Sequence, residues 1–148
     1  MMQTLVGAPI GGGIVLGQAC VLDTALIDVP RYYITSGEVA GEWARLGEGC
    51  AAVEAELQGV AAQLPADAPT EARALLDVQL MLLNDPALIE GAKSRVENER
   101  LNIEWAISET AEELMAQFRA IEDPYLKERG RDVEQVADRL LKALSGAS

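Results

Sequence analysis

From Val39 to Leu64, apolar side chains return in alternating steps of four and three: Val39, Trp43, Leu46, Cys50, Val53, Leu57, Val60 and Leu64. That spacing keeps one stripe of a helix dry over its whole length, so the stretch has to lie against other helices. Its start is marked locally. Thr35 and Glu38 stand at capping-box spacing, with Ile34 and Val39 beside them as a hydrophobic staple. Its end is marked too, because "LPADAP" brings two prolines that cannot continue a helix.

The rest of the chain follows the same pattern. "TEARALLDVQLMLL" predicts a second helix with Leu75, Val78 and Leu82 as its core stripe and Leu76 and Leu83 alongside, which leaves Leu80 and Met81 pointing away. Two readings stand open for that remainder: cover by neighbouring helices, or an apolar patch that receives another protein. "NDPAL" and "EDPYL" each place an aspartate, Asp85 or Asp123, at an N-cap with proline in the first helical position. A shorter helix is expected around residues 86 to 99. From a cap at Asn102, Ile107, Ala111, Leu114, Phe118 and Ile121 step inward, while Glu109, Glu112 and Glu113 form a wet face. The last helix, Pro124 to about Leu144, turns Leu126, Val133, Val136, Ala137, Leu140 and Leu144 to the core.

Residues 4 to 29 differ, with β-branched residues and glycine breaks that fit two or three short strands and a turn at Gly11, Gly12 and Gly13. Neither a Walker lysine nor a GxGxxG spacing accompanies the glycines, so they are read as a turn and not as a phosphate cradle. The fold class is mainly α: a helical bundle with a short N-terminal β-ribbon. Ribbon edges left unpaired would seek a partner.

Totals narrow the function. The 148 residues hold 24 acidic and 12 basic side chains, a net charge of −12, which repels nucleic acid and anionic membrane and favours a basic protein partner. Cys20 and Cys50 have neither metal-type nor CxxC spacing and are read as two thiols in a reducing compartment. The opening "MMQTLVGAPIGGGIVLGQA" has no positive residue before its apolar part, and glycines interrupt that part, so it is not read as a signal peptide. No run approaches a bilayer-spanning length, and the protein is placed in the cytoplasm. It contains no histidine, which excludes any triad, zinc site or phosphohistidine chemistry that needs its own imidazole. A free-standing enzyme is disfavoured, since nothing in the spacing of its carboxylates singles out an acid, a base and a cleft.

One feature breaks the last helix's pattern. Arg129 lies three residues after Leu126 and four before Val133, on the core side, with Gly130 beside it. A guanidinium there needs a carboxylate of a neighbouring helix or the mouth of a cleft, and the glycine predicts a kink.

"LLDVQLMLLNDPAL", followed by "DPYLKERGRDVEQVADRLL", resembles the helical, carrier-binding part of Enzyme I, the phosphoenolpyruvate-protein phosphotransferase of bacterial sugar uptake, and of its nitrogen-related paralogue. "GAPIGGGIVLGQACVL" is similar to the family's start, although Ile10, Gly11 and Gly12 replace its Ala-Ser-Pro, and "IEWAI" around Trp105 looks closer to the nitrogen branch. The resemblance implies residues 1–30 as a ribbon belonging to the parent's phosphohistidine subdomain and 34–145 as the carrier-binding subdomain. It implies a protein that moves a phosphoryl group from phosphoenolpyruvate to a histidine and on to HPr or its nitrogen-branch homologue. The family's histidine lies in a following Gly-Gly-x-Thr-Ser-His-like motif that this chain does not contain, so the chain is expected to dock a carrier without accepting phosphate. Magnesium is implied for the full-length parent and no cofactor for this chain.

By the same resemblance Met81, Leu82, Leu88 and Phe118 match apolar carrier-docking positions, and Glu71, Asp77 and Asp85 match acidic ones facing a basic rim. Arg129 matches an arginine near the junction of the two subdomains. The family often has two acids where Pro86 and Ala87 stand, a histidine at Gln79 and another acid at Thr70, so the negative rim is thinner here. The alternative is a non-catalytic bundle that forms a homodimer through Leu80, Met81 and the seam from Val39 to Leu64.

Overall fold

A computed structural model describes residues 29–145. The expected strands and glycine turn of residues 4 to 29, and Cys20, lie outside the described residues apart from Val29 itself. A 3₁₀ turn, Ser36–Glu38, leads into α1 Val39–Gln63, followed by α2 Thr70–Leu83, α3 Pro86–Glu99, α4 Ile103–Ala120 and α5 Pro124–Ser145. Glu38 accepts the Thr35 N–H at 2.8 Å and so closes the capping box that opens the first helix. Asp85 and Asp123 each accept the backbone N–H two residues on, at 2.8 and 2.9 Å, as the Asp-Pro starts require.

α4 is central. It packs along α3 on one side and α5 on the other, α1 lies on α5, and α2 closes the bundle against α5 and α1. Leu46, Val53 and Leu57 of α1, Val96 of α3, Ile103 and Ile107 of α4, and Val133, Val136 and Leu140 of α5 are sealed from water. Removing such side chains from solvent supplies the bundle's main driving force, at roughly 25 cal/mol per Å² of apolar surface. The α1 stripe matches its sequence pattern except at Val60, which is exposed. The α4 stripe stops early, because the helix ends at Ala120 and Ile121 is exposed beyond it. Glu109, Glu112 and Glu113 face water as expected.

α5 runs as one helix through Gly130, whose position is buried. A methyl group there would lie 3.7 Å from Phe118 Cβ, an ordinary contact. The opposite holds at Gly91 of α3, where a methyl would come within 2.8 Å of Thr110 Cγ2. Thr110 cannot easily yield, since its hydroxyl donates to the Ala106 carbonyl at 2.7 Å. Gly130→Ala is therefore expected to stabilise the fold by about 0.5–1 kcal/mol through helix propensity. Gly91→Ala is expected to destabilise it by about 1 kcal/mol, overpacking outweighing the same gain. Paired urea melts of the two variants check the opposite signs.

Candidate functional site

No group of three or more acidic or cysteine side chains gathers to hold a metal among the described residues, so the magnesium implied for the parent has no fitting ligand set there. Burial pushes the half-buried Cys50 thiol up, away from the reactive thiolate. No helix among the described residues is long and apolar enough to cross a membrane.

Among the described helices, α2 carries two exposed large apolar side chains, Leu75 and Met81. Its core face is Leu76, Gln79, Leu82 and Leu83: Leu82 and the flanking Leu76 and Leu83 lie inside as expected, and Gln79 stands there in place of Leu75 and Val78. The helix is rotated because Gln79 is drawn inside: its Nε2 donates to Gln135 Oε1 of α5 at 2.8 Å. Gln79 Oε1 is buried and has no partner among the described residues. Leu75 consequently stands 44% exposed and Met81 51%, while Val78 and Leu80 are half-buried. Residues four apart share a helix face, so Asp77 stands one turn before Met81 and Glu71 one turn before Leu75. Among the described residues neither acid forms an ion pair.

Two of the expected docking residues are buried. Leu82 is 7% and Leu88 3% exposed; both side chains are spent on the core, Leu82 on the inner face of α2 and Leu88 in the first turn of α3. Phe118 is half-buried against Gly130, and Asp85 is half-buried as the α3 cap. Of the residues expected at a docking face, Met81, Glu71 and Asp77 are exposed, and Leu75 is exposed on the same helix. Ile121, which the periodicity placed on the inner stripe of α4, and Tyr125 are further exposed apolar groups, at the α4–α5 turn. The Asp-Pro cap at residue 123 was the available signal, since it requires the preceding helix to have ended.

Among the described residues, Arg129 finds its partners within its own helix. Its Nη2 donates to the Tyr125 hydroxyl, its cation lies 5.2 Å from the centre of that ring, and its Nε is 3.9 Å from Asp132. Burial pushes the Asp132 carboxyl up, against the pull of Arg129.

Residues 6–129 match the family model described as PEP-utilising enzyme, N-terminal. The phosphoenolpyruvate-protein phosphotransferase of Cupriavidus necator is 44% identical over 99% of this chain, and that of Geobacillus stearothermophilus is 30% identical over 99%. The chain spans 25% of the length of each. Among solved structures, the N-terminal domain of Enzyme 1 - Nitrogen superposes with a TM-score of 0.75 at 27% identity, covering 88% of this chain and 53% of that one. An Enzyme I structure solved by NMR gives the same TM-score at 24% identity, over 80% of this chain and 48% of that one, a likeness of fold. The chain thus belongs to the family of N-terminal domains of PEP-utilising enzymes.

Proposed function

We propose that this chain is the carrier-docking part of a phosphoenolpyruvate-protein phosphotransferase, binding a small HPr-type phosphocarrier, of the sugar or the nitrogen branch, in the cytoplasm. The observation that carries the reading is Met81, an unbranched apolar side chain left half in water on a helix whose exposed acids are unpaired. An apolar anchor with an acidic surround suits a basic partner: the anchor supplies affinity, and the charges steer encounter. Such binding is weak, fast and salt-sensitive, as a relay requires. The phosphoryl chemistry belongs to histidines, and this chain has none, so incubation with phosphoenolpyruvate is expected to leave it unphosphorylated. Self-association has less surface to use than its alternative demands, because Leu46, Val53 and Leu57 of the long seam are already buried within the bundle.

The test is a residue-by-residue NMR titration with purified HPr-type carrier. Signals of Glu71, Leu75, Asp77 and Met81 are expected to shift, and Met81→Lys to weaken binding about tenfold, the order of a lost apolar anchor of modest size. Stability should stay within about 0.5 kcal/mol, as for an exposed position. Unmoved signals on α2, with a concentration-dependent dimer in sedimentation, would defeat the docking reading in favour of self-association.

A further inference from the structure

Asn102 occupies the N-cap position of α4, yet its side chain makes no capping hydrogen bond. An asparagine there ordinarily accepts an N–H from the first turn of the helix. The N–H of the first helical residue, Ile103, donates to Glu42 Oε1 of α1, at 2.7 Å. The Asn102 carboxamide is fully buried and turned onto the segment that enters the bundle. Its Nδ2 donates to the Pro30 carbonyl at 2.9 Å and to Glu104 Oε1 at 3.0 Å, and its Oδ1 accepts the Tyr32 N–H at 3.0 Å. Both amide protons and the oxygen are thereby used. The backbone adds two bonds, Asn102 N–H to Tyr32 O at 3.1 Å and Ile34 N–H to Arg100 O at 2.8 Å. Glu104, which receives the carboxamide, is held in turn by Arg45 of α1 at 2.6 Å.

We propose that residues 29–34 are a strap clamped by Asn102, which opens and closes as a unit separate from the helices. The strap has the makings of such a unit. Val29 and Ile34 anchor its ends in the core, while Arg31, Tyr32 and Tyr33 between them are exposed and depend on polar bonds and on Tyr33 lying 5.1 Å, centre to centre, from the Trp105 ring. Segments with few buried apolar contacts open at lower free energy than the helices they rest on. The αL residue Arg100, with φ of 59°, turns the chain so that its carbonyl meets Ile34. The clamp is therefore built at the α3–α4 turn and not within the strap.

Native-state hydrogen exchange on the whole chain tests this. In the unaltered protein, the Tyr32 and Ile34 amides are expected to exchange through an opening that leaves the Ala106 amide of α4 protected. Asn102→Ser keeps a good N-cap but is too short to reach Pro30 and Tyr32, so exchange at Tyr32 and Ile34 should quicken by about 10- to 100-fold, the order of one or two lost buried hydrogen bonds, with Ala106 unchanged. Equal acceleration at Ala106 would make Asn102 a helix cap and overturn the proposal, as would no change at Tyr32. Should the serine variant fail to fold, the unaltered protein still decides: strap amides that exchange only with global unfolding in low denaturant also overturn it.

Discussion

Leu88→Ala is expected to cost the bundle about 2–5 kcal/mol, the range for emptying a fully packed leucine site. Leu88 sits in the first turn of α3, 3% exposed, where Asp85 caps the helix two residues after α2 has ended. The short connection leaves little slack for collapse into the cavity, which favours the upper part of that range. A stability near 5–15 kcal/mol is usual for a domain, so the variant should populate unfolded chain at modest urea concentrations. The docking consequence separates structure from recognition. If Leu88 serves the core, carrier affinity of the folded fraction should be unchanged once unfolding is subtracted, whereas Met81→Lys should show the reverse: intact stability and lost affinity. Urea midpoints together with binding isotherms at zero urea give both quantities. A leucine whose removal spared stability and abolished binding would place it back on the docking face.

That contrast reflects what the sequence could carry. Caps were legible because their chemistry is local: Thr35 with Glu38, and Asp85 and Asp123 before prolines, declare helix starts without reference to the rest of the chain. The α1 stripe was legible because one long helix must bury one long face. The rotation of α2 was not, since it turns on a hydrogen bond between Gln79 and Gln135, 56 residues apart, and a glutamine counts as polar in any periodicity. Family resemblance marked Leu82 and Leu88 as positions, and a position's type does not report its burial in this particular bundle. Asn102 was legible as the start of α4 but not as a clamp. The residues it holds lie 70 and 72 positions away, and the first N–H of α4 is taken by Glu42 of α1.

The same junction carries the second large effect. Arg45 reaches Glu104 Oε2 at 2.6 Å and Glu42 at 3.2 Å, while Asn102 donates to the other Glu104 oxygen. Burial pushes the Glu104 carboxyl up, but the hydrogen bonds from Arg45, the backbone and Asn102, with the charge of Arg45, outweigh it and hold the group below its ordinary range. The Arg45 guanidinium is correspondingly held above its own. Removing one partner of a buried pair typically costs about 3–5 kcal/mol. Arg45 keeps Glu42 and is 34% exposed, so Glu104→Gln is expected to cost less, about 2–3 kcal/mol. The sign with pH follows from the lowered folded value: the contribution is fully present above the unfolded pKa of about 4.3 and is lost as pH falls through the folded one. Asp132, pushed up by burial, acts in the opposite sense, so the comparison has to be the difference between the two proteins. Unfolding free energies from pH 7 down to pH 3 should show that difference constant near neutrality and shrinking in acid. A difference that grew as the pH fell would mean that Glu104 is protonated in the folded bundle and that Arg45 is not its partner.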